Sequence, residues 1–174
     1  MEKEKREKKL SAAALKKKKA KEIIIEIRRK LTGLKHGYSV FPDLNELDTP
    51  EKICSYMKEH FNYKENLFYN HNPYELWLTQ EGDCNDLCTF AIFVADYHNY
   101  ETHQIHISFK EIAIKHVLGV YTEDKGYTYS DNEDYCPLCA SSFNDIISHY
   151  FIDHELELKS YEILDYKNNL IEEG

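Results

Sequence analysis

Gly82-Asp83-Cys84-Asn85-Asp86-Leu87-Cys88-Thr89-Phe90-Ala91-Ile92-Phe93-Val94-Ala95 is the stretch on which the fold turns. Leu87, Cys88, Ala91, Ile92, Val94 and Ala95 recur with helical periodicity to about Tyr97, and nearly all are apolar on the inward side, so the run reads as a central buried helix. Cys84 opens it. A thiol at its ordinary pKa of about 8.5 is mostly protonated at neutral pH, and a nucleophilic cysteine needs a helix N-terminus, a histidine, or both to hold it as thiolate. Cys84 has the first of these, because the free N–H groups and the dipole at a helix start favour an anion. Gly82, with no side chain, leaves room for a substrate to approach.

Downstream the period falls to two: Ile105/Ile107/Phe109, then Ile112/Ile114/His116 with Val117 to Tyr121, then Tyr127/Tyr129. These read as three antiparallel strands, with Glu123, Asp124, Lys125 and Gly126 turning between the last two. A turn near Lys125 gives a pairing sum of about 248, so position 116 faces roughly 132, next to Asp131. His116 is then the candidate base and imidazolium partner of Cys84, and Asp131 the group that holds its tautomer. Each has a duller reading: a helix-start cysteine in the core, a satisfied strand histidine, an aspartate that begins a turn.

Upstream, Thr49-Pro50-Glu51 supplies an N-cap with proline at the first helical position, and Ile53, Met57 and His60/Phe61 give an apolar face, predicting a helix over about 50–61. Tyr63 to Glu81 reads as a polar, aromatic-rich loop containing Pro73. Ala20, Ile24, Ile27, Leu31 and Leu34 recur at helical spacing and predict a long N-terminal helix, ended by Gly33 and Gly37. Beyond the third strand, Leu156, Leu158, Tyr161, Ile163 and Leu164 give a last strand. Cys54 and Cys88 sit at apolar helical positions and read as core thiols.

Thr49-Pro50-Glu51, the helix ending His60-Phe61-Asn62-Tyr63, and Gly82-Asp83-Cys84-Asn85-Asp86 with Phe90 together resemble the transglutaminase-like superfamily around its nucleophile. His116-Val117-Leu118-Gly119-Val120-Tyr121, the turn at Gly126, and Tyr129-Ser130-Asp131 resemble that family's second and third motifs, in the same order. The resemblance covers residues 49–131. It implies an α+β, papain-like fold, in which a cysteine-bearing helix packs on an antiparallel sheet that carries the histidine and aspartate. It also implies acyl chemistry at an amide, with Cys84, His116 and Asp131 as the triad and a protein or peptide as substrate. The sequence departs from the family in having Leu118 and tyrosines where an aromatic residue follows the histidine and a tryptophan precedes the aspartate. For the oxyanion the candidates are the Cys84 backbone N–H and the side chain of Gln80 or Trp77, the latter equally readable as core.

A second cluster lies at Cys136-Pro137-Leu138-Cys139, Phe143, His149 and His154. Two-residue thiol spacing and four-residue histidine spacing are those of tetrahedral zinc sites. The run resembles a C2H2 zinc finger, with nine residues between cysteines and histidines against the usual twelve. The expectation is a structural zinc in a small finger-like insertion over 134–155, and no organic cofactor. A Cys-x-x-Cys turn or redox pair beside two surface histidines is the alternative.

The charge is divided unevenly. The chain has 22 Lys/Arg and 31 Asp/Glu, but residues 1–30 hold 13 bases against 5 acids while the other 144 residues hold 9 against 26. Residues 1–37 therefore read as a basic helical arm, suited to an acidic partner, anionic lipid or nucleic acid, or simply a solvated charged helix. Residues 38–174 read as the acidic transglutaminase-like domain. Acidic flanks around Cys136 to His154 argue against DNA reading there. No stretch reaches the roughly 20 apolar residues of a membrane span, and Ile23 to Ile25 are too few for a signal-peptide core. An odd count of five cysteines fits reduced thiols. The expectation is a cytoplasmic cysteine hydrolase, protease or amidase, or a transglutaminase-type acyl transferase. The alternative is an inactive member of the fold, or a zinc-finger protein, that serves as a protein- or nucleic-acid-binding module.

Overall fold

The computed structural model describes residues 44–66, 69–153 and 155–174. The predicted arm over 1–37 and His154 lie outside the described residues. The elements below all belong to the compact unit formed by Phe41–Glu65 and His71–Gly174.

Helix α1 (Pro50–His60) begins where Thr49 accepts a hydrogen bond from the Lys52 N–H, with Pro50 at the first helical position. A short strand, β1 (Asn62–Tyr63), follows. The expected loop over 63–81 instead contains helix α2 (Pro73–Thr79). Its start is a capping box: the Asn72 side chain accepts from the Tyr74 and Glu75 N–H groups, and Glu75 returns a bond to the Asn72 N–H. Strand β2 (Glu81–Gly82) pairs parallel to β1 and delivers the chain into helix α3 (Cys84–Tyr97).

Strands β3 (Thr102–Phe109), β4 (Lys115–Glu123), β5 (Gly126–Asp131), β6 (Asp134–Ala140), β7 (Leu158–Asp165) and β8 (Leu170–Glu173) form one antiparallel sheet in the order β6-β5-β4-β3-β7-β8. Helix α4 (Phe143–Tyr150) lies between β6 and β7 in sequence. The fold is therefore mixed α+β around an antiparallel sheet, in agreement with the class read from the sequence.

Both faces of the sheet are covered. Val117 and Tyr121 of β4 join a core with Ile53 and Met57 of α1, Leu76 of α2, and Leu87, Phe90, Ala91 and Val94 of α3. Leu118 and Val120, pointing the other way, join Ile105, Ile107, Tyr129, Ile163 and the α4 residues Ile146 and Ile147. Burial on both sides explains why β4 reads as a near-continuous apolar run after His116.

Three expectations are corrected. Strand β4 starts at Lys115, and Ile112 and Ile114 are exposed in the preceding connection; their period-two spacing is not that of a strand. The β4–β5 register sets Leu118 opposite Asp131, one residue from the expected pairing, so His116 reaches Asp131 diagonally. Residues 134–150 of the expected insertion are built into the sheet and second core rather than set apart, because β6 pairs along β5 and α4 buries Ile146 and Ile147. Its thiols lie at a bulge, where the pairing passes from Tyr129↔Cys136 to Tyr127↔Ala140. Among the described residues, no helix is long and apolar enough to cross a membrane.

Candidate active site

Cys84 is the first residue of α3, and the local sequence fixes it there. Asp83 is the N-cap, its carboxylate accepting from the Asn85 and Asp86 N–H groups at 3.0 and 3.2 Å. Asp86, three positions on, accepts from the Asp83 N–H. Asp86 is itself buried and accepts two further bonds from His71, at 2.6 Å from the backbone N–H and 2.8 Å from Nδ1. Gly82 is required by this crowding, for an added Cβ would stand 2.7 Å from both the Asp86 Cβ and the Leu76 Cδ1. The helix start is thus clamped from behind, with the Cys84 N–H among those that have no acceptor within the helix.

The Cys84 side chain is nearly buried and its Sγ lies 4.0 Å from the Lys115 carbonyl oxygen, where β4 begins. The next residue is His116, whose Nε2 donates to Asp131 Oδ1 at 2.7 Å. That bond leaves Nδ1 as the ring nitrogen available to the thiol. Burial opposes the charge on His116, but hydrogen bonds to Asp131 and to Cys84, together with their negative charge, outweigh it and raise the imidazole to about 9. Asp131 ends β5, and Asn132 Nδ2 donates to the same Oδ1 at 3.2 Å. The structure thus brings Cys84, His116 and Asp131 to one end of the sheet, with His116 between the other two.

Two tyrosines join this group that the sequence reading left out. Tyr150, the last residue of α4, lies over the His116 ring with centroids 5.6 Å apart and planes 20° from parallel. Burial, then the charges of Asp131 and Cys84, pushes its hydroxyl above the ordinary range. Tyr63, on β1 and half-exposed, is raised by partial burial and then by the charges of Cys84, Asp83, Glu65 and Asp131. Tyr150 has no sequence signature, since it approaches from a helix outside the β4–β5 hairpin, and Tyr63, though part of the His60-Phe61-Asn62-Tyr63 run, has no role at the site in the sequence reading.

The oxyanion candidates stand differently. Gln80 is exposed and ends α2 in the left-handed region, at φ 56°. Trp77 is half-buried against the first core and hydrogen-bonds with Tyr56. Cys54 and Cys88 are core thiols: burial pushes Cys54 up to about 12 and Cys88 higher still.

Of the zinc candidates, Cys136 Sγ stands 3.9 Å from His149 Nδ1, and the same nitrogen is 2.9 Å from the Tyr129 hydroxyl. Cys139 is exposed in the left-handed region, at φ 54°, with its thiol donating to the Pro137 carbonyl at 3.6 Å. Among the described residues, no group of three or more His, Cys, Asp or Glu side chains is arranged to hold a metal ion.

No family model matches the chain, and neither does any curated protein. Among solved structures it is similar to Legionella pneumophila LapG. The calcium-bound form aligns at 14% identity and TM-score 0.49 over 85% of this chain and 90% of that one. The EGTA-treated form aligns at 14% identity and TM-score 0.45 over 70% and 68%, and a further LapG structure at 13% identity and TM-score 0.45 over 72% and 70%.

Proposed function

We propose that the protein is a transglutaminase-like cysteine hydrolase, a protease or amidase, acting on a peptide or carboxamide bond through Cys84, His116 and Asp131. The observation that carries this reading is the 2.7 Å bond between His116 and Asp131 beside a cysteine at the head of a helix.

With His116 charged and Cys84 ionised, the thiolate adds to the substrate carbonyl carbon, and the C=O electron pair moves onto oxygen. The Cys84 backbone N–H, with Gln80 or Trp77 as the candidate side chain, receives that oxyanion. As the C–N bond breaks, the His116 imidazolium gives its proton to the leaving amine, and the acyl group remains as a thioester on Sγ. Neutral His116 then takes a proton from water, hydroxide adds to the thioester, and the acid leaves as the thiolate and imidazolium are restored. An amine in place of water makes the same site a transferase. Asp131 stays ionised throughout, fixing the tautomer and supporting the cation.

The test is the pH dependence of Cys84 carbamidomethylation, read by peptide mass spectrometry in the wild type and His116→Ala. The expected wild-type reaction persists well below pH 7, and His116→Ala slows it by about tenfold or more at pH 6. Wild-type labelling that follows a free thiol, or appears only on denaturation, would identify an inactive scaffold instead.

A structural zinc at Cys136, Cys139, His149 and His154 is a second proposal, favoured by the approach of Cys136 to His149. Two thiolates and two neutral imidazoles are a donor set suited to zinc. In the same digest, Cys136 and Cys139 should stay unlabelled until a chelator is added; equal labelling with and without it removes the metal. Residues 1–37 are proposed as a basic docking arm.

A further inference from the structure

We propose that Tyr150 is a positioning residue for His116, its ring face holding the imidazole in the plane from which Nδ1 addresses Cys84 and Nε2 addresses Asp131. This rests on the reading of the site given above and extends it to a helix from the opposite face of the sheet.

The geometry is that of an offset stack, with centroids 5.6 Å apart and a 20° tilt. Such a contact opposes rotation of the imidazole about its Cβ–Cγ bond, the motion that would break both of its in-plane interactions at once. The hydrogen bonds to Asp131 and Cys84 hold the two edges of the ring, while the stack adds a wall against its face. The stack also places the negative face of a phenol against a ring that carries positive charge in the resting site, which favours the charged form.

Tyr150 is itself well held. The preceding α4 residues Ile146 and Ile147 are buried in the second core, and His149 accepts from or donates to the Tyr129 hydroxyl at 2.9 Å. The Tyr150 ring also meets Phe151 edge-on, with centroids 5.3 Å apart. The ring position is therefore set by the packing of α4 rather than by the histidine it covers. The groups that bias the charge on His116 come one from each neighbouring element: Cys84 from α3, Asp131 from β5 and the Tyr150 ring from α4. The adjacent cation, Lys115, is paired with Glu162 at 3.3 Å.

The experiment follows the His116 imidazole by nitrogen-15 NMR across pH in the wild type, Tyr150→Leu and Tyr150→Phe, alongside Cys84 carbamidomethylation of the same samples. Tyr150→Leu should lower the His116 midpoint by about 0.5–1 pH unit and slow Cys84 labelling at pH 6 about three- to tenfold, while Tyr150→Phe keeps both near wild type. If Tyr150→Leu does not fold, Tyr150→Met provides the unstacked side chain at similar volume. A His116 midpoint unmoved by loss of the ring, or moved equally by Tyr150→Phe, overturns the proposal. The wild-type labelling profile separately decides the hydrolase reading, so a thiol that behaves as free there, with a His116 midpoint that still follows the ring, would leave Tyr150 a positioning residue in an inactive site.

Discussion

His71 with Asp86 and His116 with Asp131 are the same two groups at nearly the same separation, 2.8 and 2.7 Å, yet their surroundings give them different work. The first pair is sealed, with the Asp86 side chain fully buried and both of its oxygens occupied, by His71 and by the Asp83 N–H. It ties the loop before α2 to the start of α3 and so fixes where Cys84 sits. The second pair lies at the sheet end, with 16% of the histidine and 31% of the aspartate side chain exposed, and its imidazole is shared with a thiol. A histidine–carboxylate bond is therefore no marker of chemistry. On the proposed reading, what sets the second pair apart is the thiol facing its other ring nitrogen and its access from outside.

The largest effect that can break this distinction is a reciprocal one. Asp86→Ala strips a buried pair of one partner and removes the returning half of a capping box, and should cost about 3–5 kcal/mol in urea unfolding. Asp131→Ala removes a partly exposed carboxylate and should cost less, about 1–2 kcal/mol, through lost support of the His116 charge, while slowing Cys84 carbamidomethylation at pH 6 by about tenfold. Equal stability losses, or a Cys84 rate insensitive to Asp131, would mean that both pairs serve the fold.

Much of the second pair was legible in the sequence and little of the first. His116 and Asp131 lie on adjacent period-two runs joined by a short polar turn, so antiparallel pairing brings them near each other to within one residue of register. Cys84 was readable as a helix start because Leu87 to Ala95 repeat so plainly after it. His71 belongs to a stretch read as loop, although Asn72-Pro73 with Glu75 carries the same N-cap, proline and acid that marked Thr49-Pro50-Glu51. The helix it starts spans only Pro73–Thr79, too short to establish an apolar period. Strand β6 was hidden by its own cysteines, since Cys136-Pro137-Leu138-Cys139 looks like a metal-binding turn and Pro137 is poor strand material. Tyr150 could not be found at all, because its partner is 34 positions away and the contact exists only once α4 has packed.

A smaller effect separates the pairs by pH. His116 has its midpoint raised from 6.5 to about 9 in the folded protein, so its charge contributes stability that is fully present below pH 6.5 and is lost as pH rises through 9. Between pH 7 and 8.5 a Cys84→Ser protein, in which no thiol gives up the matching proton, should lose up to about 2 kcal/mol relative to the same protein with His116→Gln, as one proton is held by the folded state and not by the unfolded chain. Urea unfolding of the two proteins at both pH values reads the difference directly. Parallel pH dependences would mean that His116 does not carry the charge that the site requires.

The smallest effect asks whether the capping box or the buried histidine gives the start of α3 its stability. Helix α4 begins with the same device, Ser142 accepting from the Asp145 N–H at 3.2 Å and Asp145 returning a 2.9 Å bond to the Ser142 N–H, but in solvent and without a histidine behind it. Ser142→Ala should therefore cost about 1 kcal/mol, the ordinary value of an exposed cap. A loss as large as that of Asp86→Ala would assign the stability of both helix starts to the box alone and reduce His71 to a bystander. A loss of about 1 kcal/mol assigns the remainder at α3 to the sealed His71–Asp86 contact, the interaction that fixes the helix end from which Cys84 meets His116.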